Sequence, residues 1–220
     1  MTHRPRLTFF LDVDNTLLNN DAAKSDMDRQ LRDLLGDEGA AGFWRLYEEI
    51  RAEGTMVDIP STIARYCAGQ GDLELRFALA DLFMTFAFAS FVYPSALAVL
   101  KKLQTFGTTA ILSDGDPIFQ SAKIHRSGLD AAVGGNVIVY PHKDDHITEI
   151  TSAFPADVFI FIDDKPAVLE RIAKNMTAPF ATVFVRQGKY ALETHDGFTP
   201  TFSLASLADL LTVAAWPPAP

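Results

Sequence analysis

The apolar residues of this chain fall into two regimes. In its first and last parts they come as short runs with few interruptions, at 7–11, 108–112, 137–140, 158–162 and 182–185. Runs of four or five apolar or β-branched residues bounded by turn-formers predict strands buried on both faces, as in a parallel sheet. Amphipathic segments separate them. Ser95 opens one that Gly107 ends; Asp116 caps and Pro117 starts a second, which runs to Arg126 and stops at Gly128; Pro166 starts a third that reaches about Asn175. Asp164 is a candidate cap for that third helix. The spacing also predicts a C-terminal amphipathic helix over 204–213 and a loose Pro-rich tail from Trp216 onward. Strands alternating with helices predict an α/β, Rossmann-like parallel sheet with helices on both faces.

From residue 19 to about 91 the period changes. Phe43, Leu46, Tyr47 and Ile50 repeat at helical spacing, as do Ile63, Tyr66 and Cys67, and then Leu75, Leu79, Leu82, Phe83 and Phe86. Nothing alternates with period two, so this stretch is predicted to be all-helical. Gly36, Gly39, Gly42 and Gly54 are expected to break it, as is the Gly69-Gln70-Gly71 turn, and Pro60 can start a helix. The aromatic stripe Phe43, Trp44 and Tyr47 could line a substrate pocket, although such a stripe is more often ordinary core.

Composition narrows the function classes. Of 220 residues 48% are hydrophobic and 21% charged, the balance of a globular protein with a sizeable core. A net charge of −9 argues against nucleic acid and against an anionic membrane surface as partners, because both require a basic face. An anionic small substrate stays compatible where a metal ion, a lysine or a helix N-terminus supplies a local positive field. The lone Cys67 cannot form an internal disulfide, and the apolar run at 7–11 is too short for a signal-peptide core. The most apolar stretch, 77–100, is broken by Asp81 and Pro94, so its intact part is too short to span a bilayer as a helix. A cytoplasmic location is the expectation.

Four strand ends carry polar residues that folding does not ask for. The run 7–11 ends on Asp12 and Asp14, 108–112 runs into Ser113-Asp114-Gly115, 137–140 lies just before Lys143, and 158–162 ends on Asp163 and Asp164. In open parallel sheets, ligands bind beyond the carboxyl ends of the strands where the strand order reverses. Acids at such a place hold a metal or do chemistry. Ser113 followed by a helix start at Pro117 is a phosphate-binding arrangement. His142 and His146 lie four apart, but Lys143 stands where a zinc-protease helix has Glu and no third ligand is evident, so zinc is not the reading.

With Asp-x-Asp-x-Thr, Ser, Lys and Asp-Asp in that order, the chain resembles the haloacid dehalogenase-like superfamily, in particular its phosphatase-type members with a helical (C1-type) cap inserted after the first strand. The resemblance covers nearly the whole chain. Asp12-Val13-Asp14-Asn15-Thr16 matches the first motif, Ser113 the second, Lys143 the third and Asp163-Asp164 the fourth. It implies a catalytic core of residues 1–17 and 94–220, an inserted cap of residues 18–93, and a Mg²⁺-dependent phosphatase acting on a small phosphorylated metabolite. Asp12 would be the nucleophile and Asp14 the general acid and base. Ser113 and Lys143, with the N–H groups near Asp114 and Gly115, would hold the phosphoryl oxygens, and Thr16 would fix the first loop. Mg²⁺ would bind Asp12, the backbone carbonyl of Asp14, Asp163 and Asp164, because carboxylates and a phosphate dianion cannot crowd together without a cation. Lys123 competes for the third motif, but it lies about two turns into its helix, its ammonium starting roughly 10 Å from the helix mouth. Lys143 is better placed.

The same resemblance carries alternatives. Dehalogenase members share the helical cap but lack the second Asp of the first motif, so Asp14 speaks for phosphoryl rather than halide displacement. Phosphonate-cleaving members use a cap lysine, and Lys24 is the only lysine of residues 18–93. A mutase and a non-catalytic metal- or phosphate-binding module satisfy the same motifs. Ile162 stands where relatives commonly carry Gly before the fourth motif, which leaves the division of metal ligation between Asp163 and Asp164 open. The arginines and aromatics of the insertion leave nucleotides, sugar phosphates and small phospho-acids all open as substrates, and no feature sets an oligomeric state.

Overall fold

The computed structural model describes residues 5–54, 58–68, 71–192 and 197–216. At its centre is β1 (Leu7–Leu11), flanked by β2 (Thr108–Asp114) and β4 (Val158–Asp163). Outside them lie β3 (Val137–Tyr140), β5 (Phe180–Val185) and β6 (Phe202–Leu204), giving a six-stranded sheet of order β3-β2-β1-β4-β5-β6. Every pairing is parallel, and Phe10 lies opposite both Ala110 and Phe161.

The unbroken apolar run of β1 is explained by burial on both sides. Phe9 and Leu11 pack into one core with Val99 and Leu100 of α4 (Ala96–Leu103) and Ile124 of α5 (Pro117–Arg126), next to the short α6 (Leu129–Ala132). Phe10 points the other way, toward Ile150 of α7 (Ile147–Ala153) and Leu169 and Ile172 of α8 (Pro166–Asn175). Each buried phenylalanine contributes about 1.5–3 kcal/mol relative to exposure, so the strand that ends on Asp12 is firmly anchored. The chain winds from β1 to β2 and β3 on one side, then crosses back to β4 on the other. Strand order therefore reverses between β1 and β4, where the Asp12 N–H donates to the Ile162 carbonyl at 2.9 Å.

The helical insertion follows β1. It consists of α1 (Asn20–Gly54), α2 (Ile59–Tyr66), α3 (Leu73–Met84) and a 3₁₀ turn at Phe88–Phe91. Its two ends meet: Leu18 bridges Val92, Asn19 donates to Phe91, and Tyr93 donates to Leu17. Asp58 and Asp72 cap α2 and α3 by accepting the N–H groups of Ser61 and Leu75. Of the expected glycine breaks, Gly54 ends α1 and Gly36 interrupts it, at φ 71 and ψ 172. There the helix folds back on itself, because Trp44 Nε1 donates to Asp28 at 2.8 Å although sixteen residues of straight helix would separate them by about 24 Å. Gly39 and Gly42 stay helical, and Gly39 gives room to Tyr66, whose hydroxyl donates to the Gly39 carbonyl.

Two expectations at the C-terminus are corrected. In place of a helix over 204–213 the chain forms β6 and a 3₁₀ turn, Leu207–Thr212, opened by a capping box between Ser206 and Asp209. Only Leu207 and Leu210 are buried there, and a three-residue spacing eclipses in a 3₁₀ turn. Trp216 is not part of a loose tail; its ring meets Phe9 edge-on at 5.0 Å. Residues 217–220, and Gly69 and Gln70 of the expected turn, lie outside the described residues. No helix among the described residues is long and apolar enough to cross a membrane.

Candidate active site

The loop that leaves β1 is built to hold its carboxylates still. The N–H groups of Thr16, Leu17 and Leu18 converge on the Val13 carbonyl, and Asn15 takes a left-handed conformation (φ 59). The Asn15 side chain exchanges hydrogen bonds with Asp21, while Gln187 donates to the carbonyls of Asn15 and Thr16. Gly188 lies against Asn15 so closely that any Cβ there would clash, at 2.4 Å. Thr16 is fully buried and outside the cavity lining, and its hydroxyl has no hydrogen-bond partner among the described residues.

Beneath this loop lies a buried charge cluster. Lys143 Nζ donates to Asp12 Oδ1 and to Asp163 Oδ2, both at 2.7 Å, and to the Leu112 carbonyl at 3.2 Å. Asp114 holds Lys143 in place by accepting its backbone N–H at 2.8 Å. Burial works against the Lys143 charge, but Asp114, Asp12 and Asp163 outweigh it and raise its pKa well above the usual lysine range. Burial would likewise push Asp12 up, yet Lys143 and Lys165 hold it below the ordinary carboxylate value. Asp163 is pushed up to about 6 by burial, with Lys143 opposing and the Asp12 charge adding. Asp164 goes further, to about 9, because burial and the Asp163 charge act together against Lys165. Asp164 is not a helix cap: neither of its carboxylate oxygens has a hydrogen-bond partner among the described residues.

Lys165 is a site residue that the sequence pattern did not single out. Burial opposes its charge, but Asp12, Asp163 and Asp164 raise its pKa. Its ammonium pairs with no carboxylate at contact distance among the described residues; it lies 5.8 Å from the Tyr190 ring centroid and opens to the cavity.

That cavity, about 280 Å³, lies between the carboxyl edge of the sheet and the helical insertion. Asp14 faces it, and its carboxylate belongs to a different partner from Asp12: Lys123 Nζ sits 2.9 Å from both Asp14 oxygens and 3.1 Å from Asn20 Oδ1. The distance assigned to Lys123 from helix rise alone is thus corrected, since the side chain reaches back along α5 and rests over the Phe88 and Phe119 rings. The Ser113 hydroxyl is buried and accepts from Gln120 Nε2 at 2.9 Å, leaving its own proton to donate. Of the backbone donors expected beside it, that of Gly115 is already engaged. Gly115 N–H goes to the Tyr140 carbonyl, and Asp116 accepts the N–H groups of Ile118 and Phe119. From the insertion, Trp44 and Tyr47 line the cavity while Phe43 is core, so the aromatic stripe has two faces.

The residues fit a hard divalent cation. Asp12, Asp163 and Asp164 each offer a carboxylate oxygen, and these atoms lie within 4.8 Å of one another. Among the described residues, Asp12 Oδ2 and both oxygens of Asp164 are buried and unpartnered, which is costly unless a cation meets them.

No family model matches the sequence, and no match was found among curated proteins. Among solved structures, the chain is similar to a haloacid dehalogenase-like hydrolase of Burkholderia xenovorans LB400, with 33% identity and a TM-score of 0.87 over 95% of this chain and 96% of that one. It is also similar to the hydrolase YfnB of Bacillus subtilis, solved bound to magnesium (17% identity, TM-score 0.63, 96% and 98% covered). A third similar structure is the L-2-haloacid dehalogenase of Xanthobacter autotrophicus (18%, 0.61, 92% and 96%). At their identities the latter two speak for the fold alone.

Proposed function

The chain belongs to the haloacid dehalogenase-like superfamily of hydrolases, and we propose that within it this protein is a Mg²⁺-dependent phosphomonoesterase of a small cytosolic metabolite. The observation that carries this reading is Asp164, whose two oxygens lie buried without a partner beside two further carboxylates. Such a cluster calls for a divalent cation, which assists phosphoryl transfer and is idle when a carboxylate displaces a halide from carbon. The all-oxygen donor set of Asp12, Asp163 and Asp164 supports Mg²⁺ as the ion. Asp14 supports the phosphatase over the dehalogenase, because a carboxyl facing the cavity gives the leaving oxygen a proton source.

Asp12, Asp163 and Asp164 would hold the metal, which when bound offsets the negative charge gathered on the carboxylates and the phosphoryl group. Asp12 attacks phosphorus, the bond to the ester oxygen breaks, and that oxygen takes a proton from Asp14. The phosphoryl group now sits on Asp12. Asp14, ionised, takes a proton from a water whose oxygen attacks phosphorus, releasing phosphate and restoring the Asp12 carboxylate. Lys143 orients Asp12 through Oδ1, while Lys165 on the cavity lining and the buried Ser113 hydroxyl, whose proton is free to donate, would meet the phosphoryl oxygens. Lys123 and Asn20 set the orientation of Asp14. The insertion, as a cap of residues 18–93 on a core of 1–17 and 94–220, excludes bulk solvent during phosphoryl transfer and admits the attacking water afterwards.

The test is phosphate release from p-nitrophenyl phosphate with and without Mg²⁺. Metal-dependent turnover is expected, reduced by at least ~10³-fold in Asp12→Asn. Chloride release from 2-chloropropionate that is indifferent to a chelator would replace the reading with a dehalogenase. Mg²⁺ binding with neither reaction would make the protein a binding module.

A further inference from the structure

The cavity is charged oppositely to the molecule. The sequence carries a net −9, yet five lysine or arginine side chains line the cavity against three aspartates. Three of these cations have evident work: Lys123 holds Asp14, Arg171 pairs with Asp144 at 2.7 Å, and Lys165 faces the site proposed for the phosphoryl group. At the outer end, formed by the α1 hairpin, positive charge is in surplus. Lys24 from the first arm and Arg51 from the second share a single carboxylate, that of Glu48, at 3.5 and 3.3 Å. Lys24 Nζ lies 4.9 Å from the Trp44 ring centroid and 4.7 Å from that of Tyr47, so the aromatic wall steadies the ammonium beside the cavity.

Between the two ends the lining is flat or apolar, from Trp44, Tyr47, Phe83, Met27 and Ile59. Tyr47 belongs to this lining, its ring centroid 4.7 Å from Lys24 Nζ. A volume of about 280 Å³ suits a compact ligand.

We propose that the substrate is a compact phosphomonoester carrying a second anionic group across a short planar or apolar body, and that Lys24 and Arg51 bind this second group. The proposal rests on the phosphatase reading for the inner end. One carboxylate shared by an ammonium and a guanidinium leaves donors and one positive charge for a ligand anion, and Arg51 offers a fork that matches carboxylate or phosphate. The aromatic wall accepts a planar body by stacking or edge contact. Binding energy gained at this remote end can be used at the reacting end, so the second anion also promotes turnover.

The experiment compares phenyl phosphate with 4-carboxyphenyl phosphate in the presence of Mg²⁺, using the ratio of their kcat/KM values, which cancels effects common to both esters. The wild type is expected to favour the carboxylate ester by about tenfold or more, and Lys24→Met and Arg51→Met are each expected to bring the ratio most of the way to one. A wild-type ratio near one, with phenyl phosphate turned over, overturns the proposal and leaves the phosphatase reading intact. A preference that survives in both variants overturns the assignment to these residues. If neither ester is turned over, calorimetry with phenylphosphonate and 4-carboxyphenylphosphonate decides. Tighter binding of the carboxylate compound, lost in the variants, upholds the second-anion site while the phosphatase reading fails. Equal or absent binding overturns both.

Discussion

Lys143 and Lys24 are both lysines paired with carboxylates beside one cavity, and they are held in opposite ways. The Lys143 side chain is 2% exposed and has two carboxylates at 2.7 Å; that of Lys24 is 43% exposed, with one carboxylate at 3.5 Å shared with Arg51. In the floor, removal of charges from water costs several kcal/mol per ion, so each must meet a counter-charge in fixed geometry. On the outer wall water solvates the charges, and side chains can exchange one partner for another at little cost. The contrast separates two tasks. Fixed pairs at the strand ends hold reacting groups in register, whereas loosely paired cations on the α1 hairpin can release Glu48 for a ligand.

The largest effect should follow from breaking the floor. Lys143→Met leaves Asp12 and Asp163 buried without their shared ammonium and is expected to cost about 3–5 kcal/mol in urea denaturation without metal. Added Mg²⁺ should return part of that loss, because the cation meets the same carboxylates. A cost below about 1 kcal/mol would mean that charge pairing does not hold the floor together.

How far the sequence shows this arrangement follows from the same contrast. Asp12 and Asp163 were legible because each ends a strand whose apolar run leaves no structural reason for an acid, and Lys143 because it stands just past the next strand. The insertion was legible from its helical period. Lys165 was not, since it directly follows an acid pair and precedes a helix-starting proline, where any polar residue fits. Its role comes from what surrounds it in space: Asp12 from another strand and a cavity roofed by the insertion. Lys123 was misjudged by counting helix rise without the long stem that leans toward the helix N-terminus. The phosphate-binding helix start at Pro117 was a fair inference from local sequence, but Asp116 caps its N–H groups itself. Trp44 and Tyr47 were read as core because helical spacing marks a face without saying whether protein or a cavity lies opposite. Only the fold-back at Gly36, which brings Lys24 beside them, supplies that answer.

A smaller effect, and one that sharpens the account of the floor, is its pH dependence. Burial and the Asp163 charge push Asp164 up to about 9 in the folded chain, from an ordinary carboxylate value of 3.8. Between those values the folded state holds more protons than the unfolded one, so metal-free stability falls as pH rises through that window. Asp163 adds to the fall up to about pH 6. Mg²⁺ binds the ionised form and should flatten the slope in melting temperature against pH, as should Asp164→Asn without metal. A metal-free protein whose melting temperature stays level from pH 5 to 9 would contradict the unpartnered burial of Asp164.

The smallest effect belongs to the wall. Lys24→Met keeps an unbranched stem against Trp44 and Tyr47 and loses only the long pair with Glu48 and the ammonium over the rings. The Trp44 hydrogen bond to Asp28, which ties the two arms of α1 together, is untouched. The cost in the same urea titration should therefore stay within about 1 kcal/mol, several-fold below that of Lys143→Met. A loss as large as in the floor would make Lys24 part of what holds the hairpin closed. Glu48 could then not be given up to a ligand without opening the insertion, and the outer wall would be a structural element rather than a place where the substrate is chosen.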